Sequence, residues 1–419
     1  MSEWIQAISK EWKRRNTVSQ NNPLFPLISQ SFDDREIIAA VDTLLDGRIT
    51  MSHEVTQFEE RFAKFIGAKY AVMVNSGSSA NLLAVAAVSN PLRKQRVKPG
   101  DEVLVPAVAW STSIWPWIQH GLKPIFVDID PNTLNVNPDE LKKKITKNTK
   151  AFMAIHVLGN SAPIHKLQEV VKEHNLIWIE DTCESLGSKA NNGYLGSFGD
   201  FGCFSFYYSH HITTGEGGMV VCHSEEDYDL LKCLRSHGWS RQLSNRSALE
   251  SENENIDPRF LFVNLGYNLR PLELQAAFGT CQLDRLEAMN ATRNLNREKL
   301  IKALTEHPKW DNQFSFPYSS SGTEAAWFGF VCILSKEFKN SYKDYLSYLS
   351  SCGIENRPII SGNFTRQPSM KLLNIECHPE DFPSAELIHE QGFFMGIHTQ
   401  ELDDSLVKLI ADNLLSYFS

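Results

Sequence analysis

Several features that would place this 419-residue chain in other protein classes are missing from it. It has no surplus of basic residues: 41 Lys and Arg stand against 50 Asp and Glu, a formal charge of −9. No general positive field therefore exists to attract nucleic acid or an anionic membrane. No apolar run approaches the roughly 18 residues that a membrane span needs. The first residues, Met1-Ser2-Glu3-Trp4-Ile5, lack the basic start and apolar core of a secretory signal. The expectation is a cytoplasmic, reducing location. The eight cysteines form no CxC or CxxC pair, so buried free thiols are expected in place of disulfides. Internal repeats and low-complexity tracts are absent as well.

What the chain does have is an ordinary globular composition, 42% apolar and 22% charged, and length enough for two or three domains at roughly 100–200 residues each. Residues 1–28 read as an N-terminal arm. Within it Trp4, Ile5, Ile8 and Trp12 share one helical face, which is expected to dock on this subunit or a partner subunit. Pro23 and Pro26 then interrupt the chain before a helix pattern from Asp33 to Leu45. From there short apolar runs alternate with helical segments. The runs are Tyr70–Val74, Glu102–Val105, Pro124–Val127, Ala151–Val157, Leu176–Ile179, Gly202–Tyr207 and Gly218–Cys222. That alternation predicts an α/β fold with a mostly parallel sheet covered on both faces. A polar excursion follows Gly238, and a helix pattern from Pro271 to Asn290 bends and continues to Leu304. We expect a large domain over 29–285 and a smaller α+β domain over 286–419.

Three stretches carry chemistry. Asn75-Ser76-Gly77-Ser78-Ser79-Ala80-Asn81 lies between a strand and a helix, where small residues can present backbone N–H groups to an anion. Ordinary N-capping by serine explains it equally. Ile179-Glu180-Asp181-Thr182-Cys183-Glu184 ends a buried strand with acids at the edge where open α/β sheets bind ligands. A carboxylate there can hold a protonated ring nitrogen, or Asp181 can simply cap a helix. The third stretch runs from Phe204 through Ser205 and the pair His210-His211 to Gly215-Glu216-Gly217-Gly218. Metal binding by the two histidines is disfavoured, because adjacent residues seldom point one way and no other ligand cluster stands nearby.

Six stretches in order now carry a resemblance: Gly47–Phe58, Asn75–Asn81, Pro106–Ser113, Glu180–Glu184, Ser205–Gly218 and Gly266–Gln275. The chain resembles the fold-type I, aspartate aminotransferase-like enzymes of the DegT/DnrJ/EryC1/StrS sugar aminotransferase and dehydratase family, which use pyridoxal 5′-phosphate (PLP). The resemblance implies that Gly77 and Ser78 cradle the cofactor phosphate, with Ser205 adding a hydroxyl. It places Trp110 against the pyridine ring, Asp181 at the ring nitrogen and Glu184 near the ring hydroxyl. Asn268, in Gly266-Tyr267-Asn268-Leu269-Arg270, would reach the phosphate of a neighbouring subunit, which implies a homodimer with its active site at the interface.

One departure bears on the reaction. The aminotransferases of this family carry a lysine five residues after the serine at 205, where it tethers the cofactor covalently; here that position is His210. No lysine occurs between Lys189 and Lys232, so no shift of register restores one. An imidazole cannot tether PLP, but it can accept a proton near neutral pH. The replacement resembles the sugar 3-dehydratases, which act through the amine form of the cofactor (PMP). One group of these holds an iron–sulfur cluster on cysteines that include a CxC pair shortly after the glycine return. This chain has no such pair, and Cys233 is followed by Leu234-Arg235-Ser236-His237-Gly238-Trp239-Ser240-Arg241. The cluster-free group, which uses glutamate as amino donor and GDP-linked 4-keto-6-deoxymannose as substrate, is the better match.

The expected activity is therefore 3-dehydration of a nucleotide-linked 4-keto-6-deoxyhexose in 3,6-dideoxysugar synthesis, with His210 as the base and no metal. His211, His237 and Arg241 are further candidates for the substrate site, and Arg366 joins them by resemblance. The competing readings are an aminotransferase variant and a catalytically silent sugar-nucleotide binder.

Overall fold

A computed structural model describes residues 2–16 and 23–418; residues 1 and 17–22 of the expected arm lie outside the described residues. Seven strands form the central sheet: β1 (Tyr70–Val74), β2 (Glu102–Pro106), β3 (Lys123–Val127), β4 (Thr149–Ile155), β5 (Ile177–Asp181), β6 (Phe201–Ser205) and β7 (Gly218–Cys222). Their order across the sheet is β1-β7-β6-β5-β4-β2-β3. β7 runs antiparallel to both its neighbours, and the other recorded pairings are parallel. The strands are almost wholly buried, as continuous apolar runs covered on both faces should be. The expectation of a mostly parallel α/β sheet is met.

The arm begins with helix α1 (Glu3–Asn16), whose Trp12 ring lies 5.5 Å from that of Phe32. Helix α2 (Asp34–Leu45) starts on a capping box in which Asp33 and Glu36 satisfy each other's backbone N–H groups. Helix α3 (His53–Ile66) buries Val55, Phe58, Phe62 and Ile66. Helix α4 (Gly77–Val88) is apolar on nearly every side because it packs under the sheet, against the strands that carry the site.

The C-terminal part is a smaller α+β unit. Its four-stranded antiparallel sheet joins β8 (Phe314–Ser315), β9 (Phe330–Leu334), β10 (Asn356–Pro358) and β11 (Gly392–Met395) in the order β8-β9-β11-β10. A separate core around Leu300, Phe330, Tyr345, Phe393 and Ile410 supports it, and Phe25 of the arm is buried there too. The helix pattern expected from 271 to 304 resolves into two helices, Glu273–Leu283 and Leu286–Thr305. The smaller unit reaches back over the large sheet: Phe364 N–H donates to Ala107 O at 2.8 Å, and Ser361 Oγ to Ala109 O at 2.6 Å. These contacts fix the loop that carries Trp110. No described helix is long and apolar enough to cross a membrane.

Candidate active site

The carboxyl ends of the parallel strands open onto one cavity of about 480 Å³, the edge at which α/β sheets of this kind take ligands. Each wall comes from a strand end. β1 is followed by Ser76, whose hydroxyl accepts from Ser79 N–H at 3.1 Å and caps α4. The N–H groups of the first helical turn have no intrahelical acceptor, and Gly77 and Ser78 line the cavity. A side chain at position 77 has no room: its Cβ would stand 2.4 Å from Ser205 Cβ and 3.0 Å from Cys183 Sγ. Glycine there lets backbone approach Ser205, at the end of β6.

Asp181 ends β5 and is held from three directions. Asn81 Nδ2 and Ser113 Oγ both donate to its Oδ2, at 2.8 and 2.7 Å, and Cys183 N–H donates to Oδ1 at 3.1 Å. Its neighbour Glu180 points to the other side of the strand and is fully buried. Three backbone N–H groups (Gly196, Phe198, Gly199) and the His156 imidazole hydrogen-bond its carboxyl oxygens. Ala162 N–H donates to His156 Nδ1, so the proton sits on Nε2, facing Glu180. Glu184 lines the cavity and accepts from Leu158 N–H at 3.0 Å. Burial raises its pKa to about 7, with a smaller push from Asp181.

His210 stands in the loop between β6 and β7. Its ring meets Phe328 edge-on at 5.3 Å and Tyr207 at 5.9 Å. Nδ1 is buried without a hydrogen-bond partner. Burial pushes the imidazole down to about 4, so near neutral pH the ring is uncharged and keeps a lone pair. The arrangement can bind an anion at one end, grip a cationic ring nitrogen at the other, and present a neutral base between them.

Of the residues singled out from the sequence, Gly77, Ser78, Trp110, Asp181, Glu184, Ser205 and His210 all line this cavity. Trp110 is 57% exposed, its face open. The others lie elsewhere. His211 is buried, its Nε2 2.8 Å from Ala326 O, and so faces away from the cavity. His237, in the left-handed region at φ 63°, packs edge-on against Trp239, and Arg241 covers the same indole at 4.2 Å. Asn268 is exposed, with its Oδ1 accepting from Arg270. Arg366 pairs with Glu386 on the surface of the smaller unit. The cavity also gathers residues that the sequence reading did not single out: Asn81, Thr112, Ser113, His156, Glu216, Phe328 and Arg357. Asn81 and Ser113 stood inside two of the recognised stretches, and a polar side chain at helical spacing from Gly77 was the available signal.

A doubly covered, mostly parallel sheet with an acid, a serine and a helix N-terminus around one cavity defines a cofactor-binding enzyme of the PLP-dependent aminotransferase fold. The model of the DegT/DnrJ/EryC1/StrS aminotransferase family matches residues 31–414, and the chain belongs to that family. GDP-4-keto-6-deoxy-D-mannose 3-dehydratase of Escherichia coli O55:H7 is 41% identical over 386 residues, covering 91% of this chain and 97% of the relative. The solved structure of the E. coli enzyme with bound hydrated PLP aligns with a TM-score of 0.87 at 38% identity, covering 94% of this chain and all of the other. A structure of the GDP-4-keto-6-deoxymannose 3-dehydratase with a trapped PLP–glutamate geminal diamine aligns at 0.86 and 38%, over 93% of this chain and 100% of the other.

Proposed function

We propose that this chain removes the C3 hydroxyl of a nucleotide-linked 4-keto-6-deoxyhexose, with GDP-4-keto-6-deoxy-D-mannose as substrate and glutamate as amino donor. The products are the 3-deoxy-4-keto sugar and ammonia, in the cytoplasm, for 3,6-dideoxysugar synthesis serving surface polysaccharide. The observation that carries the reading is an imidazole at position 210 whose buried Nδ1 has no hydrogen-bond partner, in the cavity of a PLP-fold enzyme with no lysine between 189 and 232.

The residues present fit PLP and PMP. The cradle at Gly77, which a Cβ would fill, suits a phosphate, and the doubly fixed Asp181 suits a pyridinium nitrogen. When bound, the cofactor supplies an amine for the sugar ketone and a ring that stores an electron pair while the C3 hydroxyl leaves. Gly77, Ser78 and Ser205 hold the phosphate, with Asn268 of a second copy completing it. Trp110 covers the ring. Asp181, fixed by its three donors, faces the ring nitrogen. Glu184, protonated below about pH 7, donates to the ring oxygen. His210 removes the C4′ proton, its ring oriented edge-on by Phe328 and Tyr207. A histidine placed to take the C4′ proton but not to return one to the sugar carbon would leave expulsion of the C3 hydroxyl as the outlet for the electron pair.

The deciding experiment incubates the purified chain with PLP, glutamate and GDP-4-keto-6-deoxymannose and identifies the sugar. A 3-deoxy product with ammonia is expected. A 4-amino sugar would make the chain an aminotransferase variant, and tight binding of unchanged sugar would make it a silent scaffold.

A further inference from the structure

Arg293 lies on the helix Leu286–Thr305 and is only 6% exposed. Its guanidinium donates to Asn290 Oδ1 at 2.9 Å and to His211 O at 3.3 Å. Both acceptors are neutral, so neither bond offsets the charge. No ion pair to a carboxylate is recorded for it among the described residues, and burial alone shifts its pKa, down to about 10. It remains a cation at neutral pH. A buried, uncompensated charge is costly and is ordinarily paired. The fold follows that rule at its other deeply buried arginine: Arg235, 2% exposed, meets Glu59 at 2.6 Å.

The side chain lines a second, smaller cavity of about 70 Å³ whose walls include Ser29, Ser31, Ser209, His210, Phe328 and Phe394. No Asp or Glu lines it. Ser209, His210, Phe328 and Phe394 also line the main cavity, so the two spaces meet at the proposed base. A cation, two serines from the segment that follows the arm and an apolar wall make a compartment suited to one small anion beside the reacting centre.

We propose that Arg293 receives a carboxylate of the amino donor, an inference that rests on the dehydratase reading above. The planar guanidinium matches a carboxylate in two-bond geometry, and the compartment takes a carboxyl group but not a nucleoside diphosphate. With its carboxylate anchored there, glutamate places its amino group beside His210. The amino group then passes to the cofactor aldehyde, so that PLP becomes PMP and glutamate becomes 2-oxoglutarate. The carboxylate is unchanged, and the two-electron oxidation of the glutamate Cα–N bond balances the reduction at C4′. The sugar enters the main cavity afterwards and has no need of Arg293.

The test uses the PLP-loaded full chain, with Arg293→Met and Arg293→Lys. Calorimetric binding of glutarate, a dicarboxylate with no amine to transfer, reads the anion site without turnover. Arg293→Met is expected to weaken glutarate binding and slow the glutamate half-reaction by about 100-fold, the value of a charge-assisted hydrogen-bonded pair. Arg293→Lys keeps the cation without the fork and should weaken binding about tenfold. Dehydration by PMP-loaded Arg293→Met should fall far less than the glutamate half-reaction does, because the sugar does not meet this cation. Undiminished glutarate affinity in either folded variant overturns the assignment, and should the methionine variant fail to fold, the lysine variant decides alone. An equal loss in PMP-loaded dehydration also overturns it, because Arg293 would then act by holding the His210 loop. If wild-type PMP enzyme fails to dehydrate the sugar yet binds glutarate through Arg293, the proposed function falls and the anion site stands.

Discussion

Burial moves His210 and Glu184 in opposite directions and leaves both uncharged over the same range. The imidazole is pushed down to about 4 and the carboxyl up to about 7, so between those limits one is a free base and the other a hydrogen-bond donor. We expect dehydration by PMP-loaded enzyme to decline above about pH 7 as Glu184 ionises. Glu184→Gln, a permanent donor, should flatten that limb; a profile unchanged by the substitution would remove Glu184 from the reaction. The same shift has a stability consequence. A carboxyl whose folded pKa is raised contributes stability that is full below its unfolded value and lost as pH rises through the folded one. Wild type should therefore lose about 2 kcal/mol relative to Glu184→Gln between pH 5 and pH 8, measured by denaturant unfolding. At position 210, lysine should tether PLP and give the absorption band of a covalently held cofactor, while dehydration disappears. If His210→Lys dehydrates as before, another group is the base.

The loop that carries His210 is not held by its own residues alone. The helix Glu273–Leu283 braces it through Gln282, whose amide accepts from Thr213 N–H and donates to Thr213 O at 3.0 and 2.9 Å. The same helix begins with Glu273, 2% exposed, and its carboxylate accepts from the N–H groups of Ser52, Glu54 and Val55 at 2.5, 2.8 and 3.1 Å. A residue more than 200 positions away thus caps α3, placing negative charge where the helix dipole favours it. Glu273→Ala strands three donors at a partly buried helix start and should cost about 2 kcal/mol. Glu273→Gln, keeping one acceptor, should cost less. Thermal unfolding of both variants checks the order, and an alanine variant as stable as wild type would show that water replaces the cap.

The whole molecule leaves a strip beside Asn268 that a single copy does not cover. Phe260, Phe262 and Leu265 are 57%, 52% and 83% exposed, with His237, Trp239 and Arg241 stacked nearby. In the proposed homodimer this strip meets the other copy, and Asn268 completes a phosphate site that Gly77, Ser78 and Ser205 only begin. If so, a chain lacking His210 and a chain lacking Asn268 repair each other. Co-expressed His210→Asn and Asn268→Ala chains should recover dehydration that neither shows alone, because one of the two mixed sites is intact. Failure to recover activity in a verified mixed dimer would put Asn268 outside the site. The net charge of −9 makes such local donors necessary, since no long-range field brings an anionic sugar nucleotide in.

Strand runs such as Tyr70–Val74 and Gly218–Cys222 are legible to the residue, because continuous apolar stretches bounded by turns are a local signal. The substitution at 210 is legible by counting from Ser205, with no coordinates at all. Where the reading overshot, a long-range contact was responsible: the run to Val157 stops at Ile155 because His156 turns to Glu180. The single helix expected over 271–304 breaks after Leu283, and residues 284 and 285 separate its two parts. Tertiary structure alone brought Asn81 and Ser113 onto the Asp181 carboxylate, set Phe328 against His210, and left Arg293 buried without an acid. Each of these joins segments tens to hundreds of residues apart. Local periodicity reports which face of an element is buried; it cannot report which distant side chain fills the space opposite. In this protein the histidine at position 210 is a fact of sequence, while its burial and its neighbours are facts of packing.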